Sequence, residues 1–353
     1  GAYQKPLSDA RRAGVRFTTE CLGLSHIPDP LALEKWLDGA MPCVHPKWKE
    51  RVPRDAGSGW DFEDIRDFYI EELFKIDTRQ LRYAESDRYL ALARVATGEV
   101  IYRTFAEWRH VGSSCHGALI WFLRDLWQGA GWGLLDAEGR PKAAYYFAKR
   151  GMAPQAVFFS DEGLDGLDIH LINDREQDLE AELELKLYRQ GHVLVASGQR
   201  SINLPARTAE CLSAQSFLPH FLDLTYSFRF GPVSHEVAVI RLVDRLNKKM
   251  IAEDWYFPGA LPSIQNADQG LSAVAHAQDD GSYELVLSSQ KWAQSVFIET
   301  PCYRPSNNYL QMLPQTPYHV RLIPEPGELS PLQGSVAALN SFRPVKIEVR
   351  SLG

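Results

Sequence analysis

The hydrophobic pattern changes period near residue 150, and that change restricts the possible folds more than any other feature of the chain. Upstream, apolar residues recur at i, i+3 and i+4, the spacing of one helix face. Downstream they alternate with polar residues, the spacing of a strand with one dry face. One uniform layer cannot satisfy both periods, so the chain reads as multi-domain. Its 353 residues are also long enough for two or three domains.

The helical part has clear elements. The spacing predicts a helix over 61–74 with Phe62, Ile65, Phe68, Tyr69 and Leu73 inward, and Asp61 at its positive end. A long helix is predicted from Ser86 to about His110, with a stripe of Tyr89, Leu92, Ala93, Ala96, Val100, Ile101, Phe105 and Trp108, stopped by Gly112. The nearly all-apolar run 118–123 fits a strand buried on both faces of a parallel sheet. A second strand is expected at 15–19, and a last helix over 141–149 with Pro141 at its first position.

After residue 150, residues 179–187 alternate Leu-Glu-Ala-Glu-Leu-Glu-Leu-Lys-Leu. Further strands are expected at 192–196, 226–230, 236–243 and 250–257. Pro258, Gly259 and Pro262 then interrupt the pattern, and strands follow at 271–275, 283–287, 295–298, 319–323 and 345–349. Each block has the size and strand spacing of an immunoglobulin-like sandwich.

Composition excludes some functions. Thirty-eight basic against 45 acidic residues give a net charge of −7. The basic residues form no stripe beyond pieces such as Lys248-Lys249, so no nucleic-acid partner is expected. No apolar run has the roughly 20 residues a membrane helix needs, so no membrane partner is expected either. The five cysteines are odd in number and widely spaced, unlike a disulfide framework. Neither His110, Cys115 and His116 nor Cys43 and His45 match a zinc spacing, and 129–133 is glycine-rich without a phosphate-cradling pattern, so no metal or cofactor is expected.

Three features taken together point to a family. Residues 117–127 read Gly117-Ala118-Leu119-Ile120-Trp121-Phe122-Leu123-Arg124-Asp125-Leu126-Trp127, followed by Gly131-Trp132-Gly133 and Gly139-Arg140-Pro141. Residues 16–23 read Arg16-Phe17-Thr18-Thr19-Glu20-Cys21-Leu22-Gly23. Two sandwich-like blocks follow. This order resembles glycoside hydrolase family 2, and within it the β-mannosidases. The resemblance implies that 1–150 is the C-terminal part of a (β/α)8 TIM barrel, carrying strands 7 and 8 and their helices. Residues 151–258 would be an immunoglobulin-like sandwich and 259–353 a second β-sandwich. Two positions depart from the family pattern: Arg124 stands where Asn is usual, and Gly23 lies three residues after Glu20 instead of two.

The implied activity is that of a retaining exo-β-mannosidase. Such enzymes hold two carboxyl groups about 5–5.5 Å apart, one as nucleophile and one as acid/base. Glu20 matches the nucleophile, at the C-terminal end of a strand, where barrel active sites lie. Trp121 matches an aromatic platform for the sugar. Asp125 is expected to orient a hydroxyl or a neighbouring side chain, and Trp60, in a Gly-Ser-Gly loop, to reach the sugar. The family's acid/base sits in an Asn-Glu pair, and none occurs in the 353 residues. The acid/base and the earlier barrel strands are therefore expected in an N-terminal portion of the same enzyme, with this chain inactive alone. The expected partners are that portion and a β-mannoside or mannose-containing oligosaccharide. Other family 2 specificities, β-galactosidase or β-glucuronidase, remain open. The alternative reading is a non-catalytic carbohydrate-binding or docking module, with Trp255, Tyr256, Tyr303 and Tyr309 in an exposed row.

Overall fold

A computed structural model describes residues 4–226, 231–265, 268–327 and 330–350. The chain divides into two compact units. The first gathers Gly1–Cys21, Val100–Leu119 and Phe147–Leu261; the second gathers Leu22–Glu99, Ile120–Tyr146 and Pro262–Gly353. Before residue 152 the elements are α1 (Asp9–Arg12), β1 (Thr18–Cys21), α2 (Pro30–Leu37), α3 (Pro46–Arg51), α4 (Phe62–Phe74), α5 (Thr78–Ala84), α6 (Ser86–Arg109), β2 (Ala118–Ile120) and α7 (Ala143–Gly151). Among the described residues no helix is long and apolar enough to cross a membrane.

Helix α4 starts where its charges predict. The Asp61 carboxylate accepts from the Glu63 N–H at 2.9 Å, and the Asp64 carboxylate accepts from the Asp61 N–H at 2.9 Å, a reciprocal cap. Lys75, in the left-handed conformation, ends the helix. The buried stripe differs from the expected one. Ile70 and Phe74 are inside, whereas Phe68 and Leu73 are only partly covered, and the charged pair Glu63 and Arg66 is also inside. An ion pair at i, i+3 on the dry face rotates that face away from the one apolar residues alone would choose. Helix α6 spans 24 residues, about 36 Å, and is buried over most of its circumference.

The expected strand over 118–123 is corrected. Only Ala118–Ile120 is strand, and among the described residues it pairs with β1 alone in a two-stranded sheet. The run is not buried on both faces: Leu119 is 56% and Leu123 64% exposed. A strand becomes dry on both sides only when layers cover it, and among the described residues none covers Leu119 and Leu123. Helix α7 begins at Ala143 instead of Pro141, because Pro141 completes a bridge with Leu135 and the Lys142 N–H donates to the Leu134 carbonyl.

Among the described residues the first unit holds a seven-stranded sandwich of β3 (Gln155–Asp161), β4 (Leu167–Asn173), β5 (Leu179–Arg189), β6 (Val193–Leu204), β7 (Thr208–Ser213), β8 (Val237–Asp244) and β9 (Met250–Tyr256). One sheet runs β3-β4-β7 and the other β6-β5-β8-β9, all neighbours antiparallel. Alternate residues of β5, Leu179 through Leu187, meet Ile169 and Leu171 of β4 and Ile240 and Leu242 of β8. That is why the period of two is so clear there. Strands β3 and β4 escape the sequence reading because nearly every residue is buried, which erases alternation. Of the strand expected at 226–230, Tyr226 lies in a bend and 227–230 lie outside the described residues.

The second unit holds another sandwich of β10 (Ser272–Ala277), β11 (Tyr283–Ser288), β12 (Ala293–Glu299), β13 (Tyr303–Pro305), β14 (Leu310–Met312), β15 (Tyr318–Pro324), β16 (Ser335–Ala337), β17 (Val345–Lys346) and β18 (Glu348–Arg350). Its sheets run β13-β15-β11-β10-β18 and β14-β12-β16-β17. Leu285, Leu287, Val320 and Leu322 of one sheet face Val296, Ile298 and Met312 of the other.

Gly198 gives a direct test of the first sandwich. It pairs with Leu185, and a methyl group there would collide with the Phe217 carbonyl oxygen. Gly198→Ala is expected to lower stability by about 1–3 kcal/mol, the usual cost of overpacking, read as a shifted midpoint in urea denaturation.

Candidate active site

In the first unit, Glu20 stands exposed near the C-terminal end of β1. The strand is held by backbone bonds. The Thr18 N–H donates to the Gly117 carbonyl at 3.1 Å, and the His116 N–H donates to the Arg16 carbonyl at 2.8 Å. The Cys21 thiol contacts the Leu119 carbonyl at 3.3 Å, and burial pushes that thiol up from its ordinary value. Among the described residues the Glu20 carboxylate has no hydrogen-bond or ion-pair partner. It is therefore an available anion on a fixed strand.

In the second unit, four aromatic rings form a row. Trp60 meets Phe62 at 5.8 Å, Phe62 meets Trp132 edge-on at 5.1 Å, and Trp132 meets Trp121 at 6.3 Å. Trp121 is 44% exposed at one end, and its peptide bond to Phe122 is cis. Trp60 is half-buried at the other end. The structure thus connects two expected sugar-facing residues, Trp121 and Trp60, through two rings that sequence reasoning did not select. Gly23 lies against the same row: a Cβ there would sit 3.4 Å from the Trp121 indole and 3.5 Å from that of Trp132.

Asp125 has a more specific position than expected. It is buried, its carboxylate accepts from the Gly133 N–H at 2.7 Å, and it forms an ion pair with Lys142. Lys142 also donates to the His26 carbonyl at 3.0 Å. Burial pushes the Asp125 carboxyl up and the Lys142 ammonium down, each opposed by its partner. A Cβ on Gly131 would lie 2.5 Å from an Asp125 oxygen, so the loop passes the carboxylate at backbone distance. Of the two expected roles, orienting a hydroxyl or orienting a neighbouring side chain, the geometry matches the second: Asp125 holds Lys142 and the turn that carries Trp132.

Behind the row lies a buried polar network. Arg66, 0% exposed, donates to the Ser25 hydroxyl at 2.8 Å, to Glu63 at 2.8 Å and to the Tyr89 hydroxyl at 2.8 Å. Ser25 donates onward to the Ala130 carbonyl at 2.8 Å, and the His26 N–H donates to the Gly131 carbonyl at 2.9 Å. Glu63 also accepts from the Trp48 indole at 2.9 Å and pairs with Arg82 and Lys49. Burial alone would raise the Glu63 carboxyl, but Arg66, Arg82 and Lys49 outweigh it and hold it at about 2. The His26 imidazole is buried, and among the described residues neither ring nitrogen has a partner. Burial first, then Lys142 and Arg66, hold it far below its ordinary range, so it is neutral. One sequence signal could have exposed this network: Arg66 lies four residues after Phe62, on the face that α4 buries.

Among the described residues no three His, Cys, Asp or Glu side chains gather as a metal site. What the arrangement offers is an unpaired carboxylate in one unit, and in the other an aromatic row braced by buried ion pairs.

Comparisons with known proteins agree with this architecture. Residues 165–261, most of the first sandwich, match the model of the Mannosidase Ig/CBM-like domain. Beta-mannosidase B of Aspergillus clavatus is 24% identical over 266 residues, 72% of this chain and 31% of the relative. Beta-mannosidase B of Aspergillus terreus is 23% identical over 312 residues, 85% and 36%. Among solved structures, the beta-D-mannosidase of Dictyoglomus thermophilum superposes with a TM-score of 0.67 at 20% identity, covering 99% of this chain and 39% of that one. The exo-chitosanase of Amycolatopsis orientalis gives 0.70 at 15% identity, covering 94% and 42%. The chain therefore spans about a third of the length of the curated relatives it matches. The first sandwich is thus similar to the Mannosidase Ig/CBM-like domain, and the chain shares the fold of part of these two solved structures. In sequence it is similar to part of the proteins named beta-mannosidase B.

Two measurements test the network. Lys142→Ala leaves the buried Asp125 carboxylate uncompensated and is expected to cost about 3–5 kcal/mol in urea denaturation. Glu63, ordinarily near 4.5, is held at about 2 in the fold. Its contribution is therefore fully present above the ordinary value and is lost as pH falls toward 2. Glu63→Gln is expected to flatten the loss of thermal stability between about pH 4.5 and pH 2; an unchanged acid limb in the variant would show that the network carries no such linkage.

Proposed function

We propose that this chain supplies the nucleophile half of a retaining exo-β-mannosidase site, with Glu20 as nucleophile. The observation that carries the reading is an exposed, unpaired carboxylate near the C-terminal end of a strand, in a chain whose relatives are named β-mannosidases. In this reading residues 1–150 are the end of a (β/α)8 barrel, followed by sandwiches at 151–258 and 259–353. Two features favour it: among the described residues β1 and β2 pair only with each other, and apolar side chains such as Leu119 and Leu123 lie open, as they would where further strands belong.

Glu20 attacks the anomeric carbon of a terminal β-D-mannoside. The C–O bond to the leaving group breaks as an ester bond to Glu20 forms, and an acid from elsewhere protonates the departing oxygen. The same group then deprotonates water, which hydrolyses the ester. One carboxyl cannot be ionised nucleophile and proton donor at once. The acid/base is a second glutamate in the N-terminal portion of the same enzyme. Trp121 offers its indole face to the sugar's C–H face and excludes water, and Trp60 extends that wall. Asp125 acts by keeping Trp132 in place. Mannose is preferred over the other family 2 sugars because the matched relatives carry that name.

The purely non-catalytic reading loses its expected support. Trp255, Tyr303 and Tyr309 are buried, and the Tyr256 hydroxyl is bound to Asp161 at 2.6 Å, so these four residues form no exposed row. Tyr256 and Tyr303 pack against the sandwich cores, Trp255 meets Phe257, and Tyr309 meets Phe297.

The test is hydrolysis of an aryl β-mannoside. The 353-residue chain alone is expected to give no turnover. A longer polypeptide that includes the preceding barrel strands is expected to be active, and Glu20→Gln in it to cut turnover by on the order of 10³-fold or more. Undiminished turnover in that variant would remove Glu20 from the mechanism.

A further inference from the structure

The second unit contains a cleft of about 940 Å³ that the Glu20 reading does not use. Its walls come from α2, the first turns of α6 and the sandwich strands β12 and β16. The volume is at the upper end for a small-molecule site, and the walls are largely apolar with a few polar groups, the usual make-up of such sites.

The chemistry of the lining narrows the ligand. Phe297 lies nearly parallel to Tyr309, with centroids 5.4 Å apart and planes 23° apart. Tyr309 is itself buried and fixed by its hydroxyl, which donates to Asp29 at 3.4 Å. The half-buried Phe297 therefore rests on a rigid backing. Ser295 also lines the cleft, 2% exposed, and among the described residues its hydroxyl has no hydrogen-bond partner. An unmatched buried hydroxyl is costly unless something meets it. Glu34 adds an exposed carboxylate. The cations are already engaged: Arg88 donates to the carbonyls of Leu339 and Ser263, and Arg94 to the carbonyl of Pro28 at 2.8 Å.

These groups select against most ligands. An anion would meet the exposed carboxylates of Glu34, Glu85 and Asp87, which outnumber Arg88 and Arg94 in the lining, and a wholly apolar ligand would leave Ser295 unmatched. A neutral sugar satisfies both constraints, with a C–H face for Phe297 and hydroxyls to donate to Glu34 and pair with Ser295. We propose that this cleft is a second glycan-binding site, taking a segment of a neutral mannose-containing oligosaccharide. The choice of mannose rests on the function proposed above; the cleft's preference for a neutral polyol does not.

The experiment is calorimetric titration of the 353-residue chain with β-1,4-mannotetraose, beside a tetrasaccharide of glucosamine. Saturable binding of the mannotetraose is expected, weakened about tenfold or more by Phe297→Ala and by Glu34→Gln. Circular dichroism checks each variant, and Glu34, being exposed, keeps the test valid if Phe297→Ala unfolds. The proposal is overturned by no binding, by binding indifferent to both cleft variants, by binding that Trp121→Ala abolishes, or by preference for the cationic tetrasaccharide. No aryl β-mannoside turnover by the longer polypeptide, with cleft binding intact, would count against the proposed function alone; turnover by that polypeptide without cleft binding would count against this site alone.

Discussion

A guanidinium sealed from water must be met by acceptors, and Arg66 is the group around which much of the second unit is arranged. Its bonds reach forward to Ser25, along α4 to Glu63 and across to Tyr89 of α6. Ser25 passes the constraint to Ala130, one residue before the turn whose glycines flank Trp132. Three segments far apart in sequence are thereby tied at one point. Removing either side of such a buried pair exposes the other to an uncompensated desolvation penalty, so the arrangement holds as a whole or fails as a whole. The indole row inherits its position from this arrangement.

The Asp125–Lys142 pair works the same way on the other side of Trp132. Asp125 takes the Gly133 N–H while Lys142 takes the His26 carbonyl. The loop must approach the carboxylate so closely that side chains at Gly131 and Gly133 would collide with it. Two buried ion pairs therefore set one aromatic side chain, and that side chain connects Phe62 to Trp121. A rigid ring suits a sugar, which offers one apolar face and many hydroxyls. The cleft beside Phe297 repeats this combination in a different setting, a fixed ring backed by Tyr309 with an unmatched hydroxyl nearby.

The two sandwiches differ from these regions in what holds them. Their cores are almost wholly aliphatic, built from alternating positions of paired strands. Burial there is cumulative and non-directional. The ion-pair networks, in contrast, are directional and depend on single residues.

Much of this was legible in the amino-acid sequence. The period of two over 179–187, the cap at Asp61 and the long apolar stripe of α6 each follow from local chemistry, because a half-buried strand or helix writes its period into its own residues. The Thr18-Thr19-Glu20 strand end and the Trp121 run were legible as a resemblance. What sequence did not disclose was anything created by contact between distant segments. β3 and β4 are buried on both faces, so no alternation marks them. Phe68 reads as core, and the burial of Arg66 is decided only when the acceptors that surround it are in place. Whether Asp125 meets a sugar or a lysine depends on where residues 131–142 return. Local period and capping are properties of a few consecutive side chains and are fixed before folding. The partner of a buried charge is chosen only when the chain closes around it, because only then does losing water make that choice matter.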